Sequence, residues 1–150
     1  MPTARRSRTI AAAPQAVWQT VADPYHLPRW WPHVERVEAV KGDRFTEVLR
    51  NEERQGARPV RADFRVVAHE APRRRMWEQD IEDSPFARVF TLVRVTVEVE
   101  PSDDGAVVRL ALEQGLRGAS KLGAPLVRRG AKRLLTQALD GLERLHADTN

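Results

Sequence analysis

The stretch APLVRRGAKRLLTQALDGLERLH, residues 124–146, decides the fold of this chain. Its apolar residues recur at the spacing of one helical face, namely Val127, Ala131, Leu134, Leu135, Ala138, Leu142 and Leu145. The other side carries Arg128, Arg129, Lys132, Thr136, Asp140 and Glu143. Pro125 fits a first helical turn, where a missing N–H is tolerated. We therefore predict one long amphipathic C-terminal helix, with residues 118–123 as an irregular lead-in.

The sequence before this helix has the two-residue period of half-buried strands. Val93, Val95, Val97 and Val99 share one face, and polar residues alternate with them. Turn residues divide the region into seven predicted strands: Arg6–Ala12, Val34–Val40, Arg44–Glu53 followed by a turn at Gly56, Val60–Glu70, Arg73–Glu82, Pro85–Glu100 and Ala106–Leu116. Connections this short indicate antiparallel hairpins.

Two short helices are predicted between the first two strands. Pro14 opens the first one, and Pro28 and Pro32 limit the second to about two turns. The element order gives an α+β domain over residues 1–150, in which a curved antiparallel sheet of about seven strands wraps the terminal helix. Such a sheet leaves room for an apolar cavity against the helix.

Composition excludes several classes of protein. The chain has 150 residues, no cysteine and a net charge of +4. Without cysteine there is no disulfide framework, no thiolate nucleophile and no thiolate metal site. No apolar run reaches the roughly 18 residues of a membrane span, and the N-terminal residues lack the apolar core of a secretory signal. We therefore expect a cytoplasmic protein.

The element order, the segment Pro28-Arg29-Trp30-Trp31-Pro32 and the stretch Ser84-Pro85-Phe86-Ala87-Arg88 resemble the bacterial polyketide cyclase/dehydrase-like proteins of the START-like (SRPBCC, helix-grip) superfamily. The resemblance covers roughly Arg6 to Leu145. It implies a seven-stranded antiparallel sheet that grips the terminal helix, with an apolar cavity between them. It also implies that the tryptophan segment lies beside the cavity mouth. The superfamily includes lipid carriers, cyclases and ligand sensors, so the resemblance predicts a fold and leaves the activity open.

Apolar candidates for a binding site come from the inward positions of this fold. Each of them is either ordinary core or cavity wall: Trp30, Trp31, Phe64, Trp77, Val95, Leu134 and Ala138. For the adjacent pair Trp30 and Trp31, we expect one indole to line the cavity and the other to plug the sheet end. Two helical glycines, Gly130 and Gly141, indicate either close packing or room for a ligand.

Polar candidates are the residues that alternation places on the apolar face. Gln79 lies on the same strand face as Trp77, and Gln114 lies on the same face as Leu112. Glu47 points inward or outward depending on the register of its strand. Arg75 falls on the Trp77 face near a strand end. Strand-end solvation or mutual hydrogen bonding explains these residues as well as ligand contact does, but together they would give an apolar pocket a few polar anchors.

Catalytic motifs are scarce. Among the four histidines, His26 and His33 flank the tryptophan segment, and none of the four has metal-ligand spacing. No nucleophile motif and no phosphate-cradling glycine loop occurs. We assign no catalytic residue, no metal and no cofactor.

Three functional hypotheses follow. The first is a binder or carrier of a small hydrophobic molecule, such as a lipid, an aromatic polyketide or an isoprenoid. The second is a cofactor-independent cyclase or dehydratase in the same cavity, with His33, Glu47, Arg75 and Gln79 as candidates. The third is an RNA- or ribosome-associated module that uses Arg73–Arg75 and the basic helix face. Neither basic cluster has interleaved aromatic residues, so nucleic acid is not the expected partner. Monomer and dimer are both compatible with the sequence.

Overall fold

The computed structural model describes residues 2–50 and 60–147. Its strands are β1 Thr3–Ile10, β2 Val34–Lys41, β3 Arg44–Leu49, β4 Val60–Glu70, β5 Arg74–Gln79, β6 Phe90–Ser102 and β7 Gly105–Leu116. Its α-helices are α1 Pro14–Ala22, α2 Leu27–Trp30 and α3 Ala124–Ala147. Short 3-10 helices span Pro24–His26, Pro85–Arg88 and Gly118–Gly123. No helix in the described ranges is long and apolar enough to cross a membrane.

The strands form one antiparallel sheet in the order β1-β7-β6-β5-β4-β3-β2. Every neighbouring pair except β1–β7 is consecutive in the chain, so simple hairpins build most of the sheet. The strand that starts the chain therefore closes the sheet against the strand that precedes α3. This seven-stranded sheet with a long C-terminal helix confirms the predicted helix-grip architecture.

The face of the sheet that carries the core is called the inner face below. On β6 it presents Val93, Val95, Val97 and Val99, all buried as the alternation predicted. On β7 it presents Val108, Leu110 and Leu112, which are buried as well. The three α-helices join this core through apolar side chains that include Val17, Leu27 and Leu135. Each such side chain stabilises the fold by about 1.5–3 kcal/mol through removal from water.

Helix α3 buries a wider stripe than its sequence predicted. Ala131, Leu135, Ala138 and Leu142 are buried as expected, but so are Leu139 and His146. Since α3 packs on α2 as well as on β1 and β7, more of its circumference is covered than a sheet alone would cover.

The two helical glycines of α3 have different surroundings. A Cβ on Gly141 would lie 2.7 Å from the carbonyl oxygen of Trp30, so the close approach of α2 requires glycine here. A Cβ on Gly130 would meet nothing within 4 Å. Close packing therefore explains Gly141, and nothing in the structure explains Gly130.

Several predicted boundaries were wrong. The strand expected from Pro85 begins instead at Phe90, because Pro85 lacks an N–H and opens a 3-10 helix. Strand β1 starts at Thr3 and ends at Ile10, which pairs with Ala106 near the start of β7. Strand β5 is shorter than expected at both ends, and β3 ends at Leu49. The predicted end of the third strand at residues 51–53 and the turn at Gly56 lie outside the described residues.

Candidate functional site

An aromatic cluster occupies the inner face where β3, β4 and β5 lie side by side. Phe45 and Phe64 stack with ring centroids 5.5 Å apart, and the Phe45 ring also lies 6.5 Å from that of Trp77. Trp31 adds an edge-to-face contact with Trp77 at 6.3 Å. The structure thus brings together three predicted wall residues, Trp31, Phe64 and Trp77, and adds Phe45 to them.

Two glutamines lie in the cross-strand row that contains Phe45 and Phe64. Phe64 pairs with Phe45 on one side and with Gln79 on the other, and Gln114 pairs with Val93. Because Trp77 faces Val95, the antiparallel register places Gln79 opposite Val93. Gln79 and Gln114 are therefore two strands apart, about 10 Å at ordinary strand spacing. The side-chain nitrogen Nε2 of Gln79 and the oxygen Oε1 of Gln114 are buried without a hydrogen-bond partner among the described residues.

Glu47 places a buried carboxyl group in this region. It shares the inner face of β3 with Phe45, which settles its register, and only 3% of the residue is exposed. No described residue hydrogen-bonds or ion-pairs with its carboxyl group. Burial away from water raises the pKa of Glu47 to about 8. At neutral pH the carboxyl group is therefore protonated, and it has an O–H to donate as well as a carbonyl oxygen that accepts.

Trp30 supplies a fourth buried polar atom. The residue is 3% exposed, and its indole Nε1 has no hydrogen-bond partner in the described part of the chain. Its ring lies 5.5 Å from that of Trp31 in an edge-to-face contact. We call Glu47, Gln79, Gln114 and the Trp30 indole N–H the inner polar set. An unpaired buried polar group costs about 1–3 kcal/mol, so four of them in one core are a substantial destabilisation.

Arg75 lies at the border of the site. It is half-buried on the inner face of β5, opposite Val97. Burial lowers the pKa of Arg75, against a smaller opposing effect of the Asp23 carboxylate. Its Nη1 lies 2.8 Å from Nδ1 of His69, so this predicted anchor already has a protein partner.

The other predicted site residues differ in their burial. Val95 is buried opposite Trp77, and Ala138 is fully buried on the covered side of α3. Leu134 is half-buried on α3. His33 is exposed, and its carbonyl accepts from the N–H of Arg50, which anchors the start of β2 beside the end of β3.

The tryptophan segment borders an open groove of about 270 Å³, here called the mouth groove. It is lined by Pro28, Arg29, Trp30, Trp31, Pro32, His33, Val34, Arg50, Gln137 and Arg144. Both indoles are buried at its base, Trp31 against the aromatic cluster and Trp30 against α3. Neither tryptophan simply projects into solvent.

Interior space beside the aromatic cluster is small. A void of about 10 Å³ is lined by Val21, Pro24, Leu27, Phe45, Arg75 and Trp77. That is room for about one water molecule. A cavity large enough for a ligand between α3 and the sheet remains a prediction, and a ligand entering here would have to displace aromatic rings.

Phe45 was not among the predicted wall residues, although its alternation with Glu47 identifies it once the register of β3 is known. Leu139 and His146 were not predicted to be buried, since helical spacing alone does not show that two sides of α3 are covered. Among the described residues, no three metal-ligating side chains come together. The inner polar set places neutral hydrogen-bond donors and acceptors beside aromatic rings.

Comparisons with known proteins agree with this architecture. Residues 1–147 match the family model described as polyketide cyclase/dehydrase and lipid transport. No curated protein matches the chain at a significant level.

Solved structures share the fold at low sequence identity. A START superfamily protein from Mycobacterium smegmatis superposes with a TM-score of 0.78 at 15% identity, covering 99% of both chains. Protein TTHA0849 from Thermus thermophilus gives 0.75 at 22% identity, again over 99% of both chains. The di-domain ARO/CYC BexL from the BE-7585A biosynthetic pathway gives 0.77 at 22% identity, with this chain spanning 47% of it. With the family match over nearly its whole length, the chain belongs to the polyketide cyclase/dehydrase and lipid transport family.

Proposed function

We propose that this protein binds a small, mainly apolar molecule with a few oxygen substituents, held between helix α3 and the inner face of the sheet. Family and fold fit binding of a hydrophobic ligand or polyketide cyclase-type chemistry. The observation that carries the proposal is the inner polar set: four buried polar groups with no partner in the described chain, beside aromatic rings.

The spacing of these groups suggests the size of the ligand. Gln79 and Gln114 are about 10 Å apart across the sheet. Glu47 lies two strands from Gln79 on the other side and two residues along, a separation of about 12 Å. A planar molecule of two or three fused rings spans such a distance. After displacing neighbouring aromatic side chains to make room, its rings would stack on Phe64 and Trp77. Its hydroxyl or carbonyl oxygens would satisfy the amides and the neutral Glu47. Lipids and isoprenoids with a polar head fit the same chemistry less completely.

A matched pair of probes tests this proposal. We would titrate 2-naphthol and naphthalene against the intrinsic tryptophan fluorescence, since Trp31 and Trp77 lie in the site. We expect 2-naphthol to bind about tenfold more tightly, because its hydroxyl group pairs with the inner polar set. The substitution Glu47→Leu should remove much of that preference. Glu35→Gln, at an exposed carboxylate on β2, is the control and should retain it.

Two outcomes would overturn the proposal. Equal affinity for the two probes in all three proteins would show that the polar groups do not contact a ligand. Failure of both probes to bind the wild-type protein would argue against an aromatic-lined site. Circular dichroism spectra of the variants would exclude loss of the fold as the cause.

A second candidate function is catalysis, and the raised pKa of the buried Glu47 favours it. Its pKa of about 8 is close to physiological pH, where a general acid–base group is most effective. A positioned reactive chain would lose or gain a proton at this carboxyl during cyclisation or dehydration. The Nε2–H of Gln79 would donate to one of its carbonyl oxygens, and Oε1 of Gln114 would accept from one of its hydroxyl groups. Of the other candidates, His33 is exposed and Arg75 is already bonded to His69. A rate profile against pH with an inflection near 8 that Glu47→Gln abolishes would support this candidate.

A further inference from the structure

The first half of α3 and strand β1 enclose a second, separate feature, a basic groove of about 920 Å³. It is lined by Pro2, Arg6, Ala124, Pro125, Arg128, Arg129, Lys132, Arg133 and Thr136. Five of these nine residues are cationic and none is acidic. Within residues 2–50 and 60–147, none of the five cations forms an ion pair.

Further along the interface between β1 and α3, an arginine of β1 is paired with carboxylates. Arg8, two residues after Arg6 on β1, forms ion pairs with Asp140 and Glu143 of α3. The helix thus provides two carboxylates to Arg8 but only cations to Arg6. Like charges gathered around one concave surface repel each other and raise the free energy of the folded state, and a bound anion removes that cost.

Two exposed leucines flank the groove-lining residues Ala124 and Pro125 in the sequence. Leu122 is 88% exposed at the end of the 3-10 helix, and Leu126 is 73% exposed in the first turn of α3. Leu126 precedes Arg129 by three residues, so the two side chains are neighbours on the helix surface. The described groove lining has no aromatic residue on which a nucleic-acid base would stack.

We propose that this surface, the basic groove with Leu122 and Leu126, docks on an anionic lipid bilayer. Phosphate headgroups would lie among the five cations, and the two leucines would enter the acyl boundary, as in other basic, leucine-bearing interfacial helices. An isolated phosphate would use the cations but not the leucines. The contact is peripheral and reversible. Docking and interior binding rest on different residues and fail independently.

Vesicle co-sedimentation tests the proposal with the full chain. We expect binding to vesicles of mixed phosphatidylcholine and phosphatidylglycerol, little binding to phosphatidylcholine alone, and weakening as salt is added. Arg128→Gln with Arg129→Gln should weaken binding about thirtyfold, on the order of fivefold for each cation. Leu122→Ser with Leu126→Ser should weaken it about tenfold.

A charge-matched control separates the groove from net charge. Arg44→Gln with Arg73→Gln removes two exposed cations that form no ion pair in the described chain and lie outside the groove, and it should change binding less than twofold. Equal loss in this control, or equal binding to both kinds of vesicle, would overturn the proposal. Binding to a single-stranded RNA oligonucleotide that exceeds vesicle binding and ignores the leucine substitutions would instead assign the groove to nucleic acid. Naphthol binding by the groove variants reports separately on the interior site.

Discussion

Polar side chains on the two faces of the sheet differ in whether they have partners within the chain. On the outer face, Arg94 lies between two carboxylates, 2.5 Å from Glu78 and 2.9 Å from Glu113. On the inner face, Glu47, Gln79 and Gln114 are buried with polar atoms that no described residue pairs. Arg94 thus has a carboxylate partner on each side, whereas these inner groups have none among the described residues. We propose that the inner groups pair with a molecule bound between the sheet and α3.

The largest expected effect concerns the pH dependence of stability. The native pKa of Glu47 is raised to about 8, above its ordinary value of 4.5, so the native state holds a proton that the unfolded state releases between these values. The free energy of unfolding should therefore fall as pH rises, by up to about 1.4 kcal/mol per pH unit, or about 4 kcal/mol from pH 5 to pH 8. Glu47→Gln should remove this contribution.

Urea denaturation of the wild-type protein and of Glu47→Gln at several pH values measures this pH-dependent contribution to stability. The comparison should use the difference between variant and wild type, because burial lowers the pKa of His146 and makes its contribution rise with pH. Glu35→Gln, at an exposed carboxylate, is the matched control and should parallel the wild type. Parallel curves for Glu47→Gln and wild type would contradict a buried, unpaired carboxyl group.

A smaller effect, an increase in the free energy of unfolding, is expected when Gln114 is replaced. Replacing its unpaired buried amide by an apolar side chain of similar length, Gln114→Leu, should raise the free energy of unfolding of the ligand-free protein by about 1 kcal/mol. The same change should weaken 2-naphthol binding. A variant that is less stable than wild type would mean that Gln114 has a stabilising partner in solution.

The smallest effect is expected on the outer face. Arg94→Gln breaks two ion pairs at partly exposed side chains and should lower the free energy of unfolding by less than about 1 kcal/mol. The loss should shrink in high salt, which screens such pairs. Binding of 2-naphthol should not change. A loss of binding here would show that the two faces are not independent.

Much of the fold could be predicted from local patterns. The valines of β6 and the stripe of α3 follow directly from side-chain periodicity, and hairpin turns fix the order of the strands. The strand start at Pro85 was predicted wrongly because proline opens both strands and helical turns. Leu139 was not expected to be buried because helical spacing alone does not show that α3 packs on α2 as well as on the sheet.

Less of the candidate site than of the fold could be predicted from the sequence. Alternation placed Gln79 and Gln114 inward, but whether a buried amide has a partner is a property of the tertiary structure. The register of Glu47 was open until β3 was seen to pair with β4 through Phe45 and Phe64. The basic groove needs Arg6 opposite α3, a contact between residues more than a hundred positions apart.

The central claim, that the inner polar set binds a small apolar molecule, is tested most directly by native mass spectrometry. The protein would be purified gently from cells that make it naturally, beside Glu35→Gln and a variant that combines Glu47→Leu, Gln79→Leu and Gln114→Leu. We predict a defined adduct of low mass on the wild type and on Glu35→Gln, which organic extraction releases, and none on the triple variant. Bare wild-type protein, or the same adduct on all three proteins, would contradict the account.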